Sequence, residues 1–276
     1  MQAFFSTLSA FFSLGFVQRA LLVGCLVSLC AALLGVTLVL KRCSMIGDGL
    51  SHVGFAALAL AAALGCLEIQ LYIAIPIVII AAFLLLRLGE HSRIKGDAAI
   101  GIIATLSLAI GYIALYRAGT NVNISNYMFG NMFTISQSDA IFSIFVCIAV
   151  VVLYGLFYHK LFAVTFDETF ARACGMPVSL YNTVIAILTA VTVVLGMRLM
   201  GTLLISALVI FPALTAMRIC KSFKGVVLTA ALFSLICFFV GTISAHYLNF
   251  PAGSTIVVAN GIALAVCSIV SKIQNR

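Results

Sequence analysis

Nine apolar runs of membrane length follow one another along this chain, at 20–40, 48–67, 71–88, 98–117, 139–158, 178–197, 199–217, 226–246 and 254–271. Each is close to the ~20 residues that a helix needs to cross a bilayer. Hydrocarbon offers no water to a backbone amide, so such runs must satisfy their own hydrogen bonds as helices. The expected fold class is therefore all-α and polytopic. The runs at 178–197 and 199–217 almost abut, which leaves eight or nine transmembrane helices open.

The composition agrees, at 64% hydrophobic, 8% charged and a mean hydropathy of +1.28. Soluble domains are about a quarter charged. Nine spans take up roughly 180 residues, so the reading is one transmembrane domain over 1–276 with short loops. This excludes a soluble enzyme, a nucleic-acid partner, and a transporter carrying its own ATPase; the contacting phase is membrane lipid.

The net charge of +8 comes from 15 Lys and Arg scattered between the apolar runs. With the N-terminus outside, Lys41, Arg42, Arg87, Arg93, Lys95, Lys160, Arg172, Arg218, Lys221, Lys224, Lys272 and Arg276 fall inside, and Arg19, Arg117 and Arg198 outside. Cytoplasmic loops concentrate Lys and Arg, so the expected topology is multi-pass in the cytoplasmic membrane, N-terminus out and C-terminus in. Met1 to Ser13 has no basic residue ahead of an apolar core, so no cleavable signal is expected there, and its phenylalanines read as an interfacial helix. The nine cysteines form no C-x-x-C pair and lie mostly in apolar runs, which argues against a disulfide framework or cysteine metal ligation.

Two loops exceed what a connection needs. The outer segment 118–138 is polar, Asn-rich and interrupted by Gly119 and Gly130, as an external cap or re-entrant turn would be. The inner segment 159–177 holds one short helical pattern. Thr165 or Asp167 is its candidate cap, and Gly175-Met176-Pro177 its stop. On pattern alone it is either a docking element for a partner or a helix lying in the interface.

An ionisable group in the bilayer centre costs about 2.5–3.5 kcal/mol on insertion scales, so the few present are informative. Asp48 and His52 stand at i and i+4 in the second run and share one helix face. A carboxylate with an imidazole suits zinc, manganese or ferrous iron. Gly47, Gly49 and Gly54 permit close helix approach or local unwinding there. The plain alternative makes Asp48 an N-cap and His52 a hydrogen-bonded interhelical residue. Two ligands do not complete a metal shell, whereas a symmetric dimer would bring two Asp and two His to one axis. Glu68 and His246, near the outer ends of their runs, are weaker metal candidates, since residues so placed are more often merely solvated. Asp139 is expected to cap the fifth run, while Ser206, Thr202 and Asn260 are expected to form interhelical hydrogen bonds. Pro212 is expected to kink the seventh run.

None of the six lysines follows a glycine, so there is no P-loop, and neither H-E-x-x-H nor G-x-S-x-G occurs. An intramembrane metalloenzyme would need more ligands than Asp48 and His52. An ion-coupled secondary transporter would show internal repeats and several mid-membrane charges.

Four stretches together resemble the integral membrane permeases of bacterial zinc, manganese and iron ABC importers. They are Gly47-Asp48-Gly49-Leu50-Ser51-His52 after the basic pair Lys41-Arg42; Gly96-Asp97-Ala98-Ala99-Ile100-Gly101; Asn126-Tyr127-Met128-Phe129-Gly130; and Phe166 to Gly175 followed by Gly201-Thr202-Leu203-Leu204 and Pro212-Ala213. The resemblance covers essentially the whole chain. It implies a homodimeric permease that does no covalent chemistry, two separate cytoplasmic ATPase subunits, and an extracellular metal-binding protein that delivers the ion. It implies that Asp48 and His52 contact the metal. It also implies that the segment 166–177 is the ATPase-coupling helix, carried by Phe166, Asp167, Glu168, Phe170, Ala171, Arg172 and Gly175. Many manganese-type members have a proline soon after the signature His. Here the run is His52-Val53-Gly54-Phe55, closer to zinc-type permeases, so the expected cargo is zinc, with manganese or ferrous iron as alternatives.

Overall fold

The computed structural model of the protein describes residues 13–66, 69–91, 96–118, 130 and 135–274. Among these residues there are ten helices and no strand: α1 (Gly15–Leu40), α2 (Ile46–Ala63), α3 (Gln70–His91), α4 (Gly96–Arg117), α5 (Gln137–Phe166), α6 (Glu168–Ala173), α7 (Val178–Met200), α8 (Thr202–Ile219), α9 (Phe223–Leu248) and α10 (Ala252–Gln274). Eight are long and apolar enough to cross a membrane, and α3 adds a shorter apolar stretch, Gln70–Leu85. The all-α multi-pass architecture is as the sequence implies. The abutting runs at 178–197 and 199–217 are two helices, reversed at Gly201, whose φ of 89° lies where a side chain is disfavoured.

Helix α5 runs eight residues beyond the expected end of its span, and the short inner helix begins only at Glu168. Asp167 makes the break. Its extended backbone (φ −149°, ψ 97°) ends α5, and its carboxylate accepts a hydrogen bond from Phe170 N at 2.8 Å to start α6. Gly175, at φ 76°, closes α6 with Met176 N donating to the Ala171 carbonyl, so the glycine stop operates as expected. Asp139, by contrast, does not cap α5. Ser136 does, accepting from Asp139 N at 3.1 Å, and the Asp139 carboxylate is left to pair with Arg198 at 2.8 Å.

The core is α1, α2 and α7, buried over 67%, 78% and 72% of their most apolar windows, whereas α10 is 11% buried and carries an exposed row of Val258, Ile262, Val266 and Ile269. Small residues let the inner helices touch backbone to backbone, as membrane packing requires. A Cβ at Gly35 on α1 would collide with the Val209 carbonyl of α8. Three ties join the helix ends. Lys41, at the end of α1, meets Glu168 of α6 and Asn182 of α7. Phe223, opening α9, stacks on Phe162 and Phe166 of α5 at 4.9 and 5.9 Å. At the opposite end Arg198 of α7 holds Asp139 of α5, and Gly130 fits against the Met200–Gly201 turn.

Because Gly35 touches backbone, no side-chain rotation can make room there. Gly35→Ala is expected to destabilise the protein by about 1–3 kcal/mol, read as a lowered midpoint of thermal unfolding in detergent. Gly155→Ala on α5, where nothing lies within contact distance, should leave it unchanged or raise it.

Candidate functional site

Lys41 ends α1, and Arg42 takes the left-handed conformation (φ 58°) that closes it, with Cys43 N bonded to the Leu38 carbonyl at 2.9 Å. The chain then folds back, so that α2 starts inside the bundle. Gly47 packs against the Val209 side chain, the same residue whose carbonyl abuts Gly35, which lies roughly 9 Å along α1 from Lys41. Farther along α2, Gly54 packs against Met197, near the opposite end of α7. Asp48 and His52 lie between these two levels, within the bundle and not at its mouth. The glycines of the signature thus serve close approach: α2 is an unbroken helix, and a Cβ at Gly49 would stand 2.6 Å from Ile100 of α4.

The N-cap of α2 is Met45, without a side-chain hydrogen bond. Asp48 therefore does not cap its helix. Its Oδ1 instead accepts a hydrogen bond from Ser206 Oγ of α8 at 2.9 Å, and Ser206 also bonds the Thr202 carbonyl at 3.0 Å. Asp48 Oδ2 faces His52 Nε2 across 3.7 Å, too long for a hydrogen bond. Nδ1 of His52 is buried and has no hydrogen-bond partner among the described residues. The pair keeps some accessibility despite its depth, 36% for the Asp48 side chain and 19% for His52. Ser51, beside them, is buried and spends its hydroxyl on the Asp48 carbonyl at 2.7 Å.

The 3.7 Å gap has a direct chemical meaning. Two ligands bound at 2.0–2.1 Å to one tetrahedral ion stand about 3.3 Å apart, so a small rotamer change admits a metal between Oδ2 and Nε2. Among the described residues no group of three or more His, Cys, Asp or Glu side chains could hold a metal ion. Asp48 and His52 are therefore two donors without a third from those residue types. His246 does not join them: it is exposed in the last turn of α9, edge-on to Tyr247 at 5.6 Å. Glu68 lies outside the described residues, as do Asn126 to Phe129.

At the Lys41 end, α6 and the residues that flank it divide by face. Phe166 and Phe170 are 58% and 65% exposed, Asp167, Arg172 and Gly175 are exposed too, and Ala171 is buried. Glu168 turns the other way. Its Oε1 accepts from Lys41 Nζ at 2.5 Å and from Asn182 Nδ2 at 3.2 Å. Partial burial works against its charge. The hydrogen bond and charge of Lys41, helped by Asn182 and Arg172, outweigh this and hold its carboxyl below the ordinary range. A depressed carboxyl stabilises the fold above its unfolded pKa, and the contribution is lost as pH falls through the folded one.

The family model described as the ABC 3 transport family matches residues 13–271. The manganese import system permease protein ScaB of Streptococcus gordonii is 31% identical over 260 residues, covering 94% of this chain and 92% of that protein. The chelated iron transport system membrane protein YfeD of Yersinia pestis is 30% identical over 281 residues, covering 99% and 92%. Among solved structures, PsaBC from Streptococcus pneumoniae in complex with Fab superposes with a TM-score of 0.85 at 29% identity, covering 97% of this chain and 95% of that one. With all but its terminal residues matched and its helices superposing on a solved permease, the chain belongs to the ABC 3 transport family, the membrane permeases of metal-importing ABC transporters, whose ATPase is a separate subunit.

Proposed function

We propose that this permease carries a divalent first-row transition metal, zinc first, inward across the cytoplasmic membrane, and that Asp48 and His52 ligate the ion in transit. The observation that carries the reading is their geometry: a carboxylate oxygen and an imidazole nitrogen 3.7 Å apart, deep in the bundle, with no hydrogen bond between them. A second copy of the chain supplies the other half. Two Asp and two His make the four-donor shell that zinc favours. The remaining accessibility of the pair gives the ion a way in and out, and a sparse shell lets it leave, as conduction demands. Ser206 is the addition to the ligand set: by holding Oδ1 it turns Oδ2 toward His52. Glu68 and His246 stay as candidates for the entrance.

The remaining assignments follow from the same reading. The N-terminus lies outside and the C-terminus inside, which puts the Lys41 end of the bundle in the cytoplasm. An extracellular metal-binding protein delivers the ion to the Met200 end. Two ATPase subunits dock on α6 through Phe166 and Phe170, the exposed aromatics.

The run His52-Val53-Gly54-Phe55, free of proline, favours zinc. The names of the relatives, a manganese import permease and a chelated iron transport protein, favour a second cargo, manganese or iron. Labelled-zinc uptake by cells expressing the permease with its ATPase and binding protein, competed with manganese and iron, separates them. Zinc uptake that manganese fails to displace is expected; uptake carried by manganese instead would reassign the cargo. His52→Ala and Asp48→Ala are expected to abolish uptake while the complex still assembles, and unchanged uptake would remove the ligand assignment. Ser206→Ala leaves both ligands in place but frees the carboxylate, so the metal concentration at half-maximal uptake should rise by about tenfold.

A further inference from the structure

The α1–α2 elbow carries a cation that is almost buried. The Lys41 side chain is 11% exposed, and its Nζ lies 2.5 Å from both Glu168 Oε1 and Asn182 Oδ1. Asn182 Nδ2 closes the ring on the same Glu168 oxygen at 3.2 Å. These three residues join the end of α1, the first residue of α6 and the start of α7, across 127 and 141 positions of sequence. A buried ammonium stripped of its carboxylate is strongly unfavourable, so the elbow cannot part from Glu168 without cost.

The elbow itself is stiff. Arg42 N donates to the Val39 carbonyl at 3.0 Å, Cys43 N to Leu38 at 2.9 Å, and Ile46 N to Cys43 at 3.1 Å, leading directly into α2. Asp48 sits on the first turn of that helix. On its other side Glu168 stands beside Asp167, the cap of α6, whose aromatic face points away from the bundle.

We propose that Lys41 is a positioning residue for transport: clamped by Glu168 and Asn182, it makes the α1–α2 elbow, and with it Asp48, follow the movement of α6. The inference rests on the reading of α6 as the ATPase-docking helix. It reassigns Glu168 from the surface that meets the ATPase to the link behind that surface. A displacement of α6 reaches the metal pair through one ion pair and one hydrogen-bonded turn.

The test uses the complete importer, permease with ATPase subunits and binding protein, reconstituted in liposomes, with zinc uptake and ATP hydrolysis measured together. Lys41→Met and Glu168→Gln are each expected to lower the ions moved per ATP by about tenfold while the ATPase still co-purifies. The exchanged pair, Lys41→Glu with Glu168→Lys, should recover most of that ratio, because the Asn182 amide offers both a donor and an acceptor and can serve either arrangement. A pair that only stabilises the fold would reduce the yield of intact complex and leave the ratio unchanged, and that result overturns the proposal. Should Lys41→Met fail to assemble, Glu168→Gln, which keeps the size and one acceptor oxygen for Lys41, decides alone. Phe170→Ala tests the underlying reading separately. If it leaves ATPase capture intact, α6 is not the docking helix and the link falls with it. If capture is lost in Phe170→Ala but the single variants keep the wild-type ratio, the docking stands and the link alone is wrong.

Discussion

The contact between Gly35 and the Val209 carbonyl sets the geometry on which the rest depends. Lipid tails are as apolar as leucine, so nothing like the hydrophobic effect drives these helices together, and their association rests on dispersion and on how closely backbones approach. A glycine on α1 brings α8 to backbone contact. Gly47 then lays the start of α2 on the same residue of α8. The consequence is chemical: the carboxylate at Asp48 arrives within 2.9 Å of the Ser206 hydroxyl, and its second oxygen is left facing His52 across 3.7 Å.

The two ends of the bundle are fastened by different chemistry. At the Met200 end one ion pair, Arg198 with Asp139, holds α5 to α7, and Gly130 lies against the tight turn that follows α7. At the Lys41 end an ion pair with an amide in its ring and a stack of phenylalanines gather α1, α5, α6, α7 and α9. The short α6 belongs to this second cluster. It is fixed by one face, with Ala171 buried, and leaves Phe170 exposed on the other.

Several local expectations met a competing tertiary demand. Asp139 has the right position to cap α5, yet Arg198, 59 residues away, takes its carboxylate and Ser136 supplies the cap. Asp48 has the right position to serve α2, yet the bundle turns it to Ser206 of α8. Glu168 reads as one more exposed acid on a cytoplasmic helix, and it is the counter-ion of a nearly buried lysine. In each case sequence spacing reports which groups are near along the chain, and a charge in a poorly hydrated interior goes to the partner that neutralises it or hydrogen-bonds it. Ser206 carried one legible signal, a hydroxyl in an apolar run. Its partner was not legible, because nothing local specifies which helix will lie opposite.

The sequence by itself determined the helical multi-pass architecture, the stop at Gly175 and the placing of Asp48 and His52 on one helix face, and it narrowed the cap of α6 to Thr165 or Asp167. These depend only on hydropathy, on helical periodicity and on backbone conformations that few residues adopt. The tertiary structure alone decided the depth of that pair, its hold on Ser206, and the ring of Lys41, Glu168 and Asn182. The bonds of Ser206 to Asp48 and of Lys41 to Glu168 and Asn182 join residues more than a hundred positions apart. Depth follows from where one helix starts relative to its neighbours, and a partner follows from which helices can approach closely enough to touch.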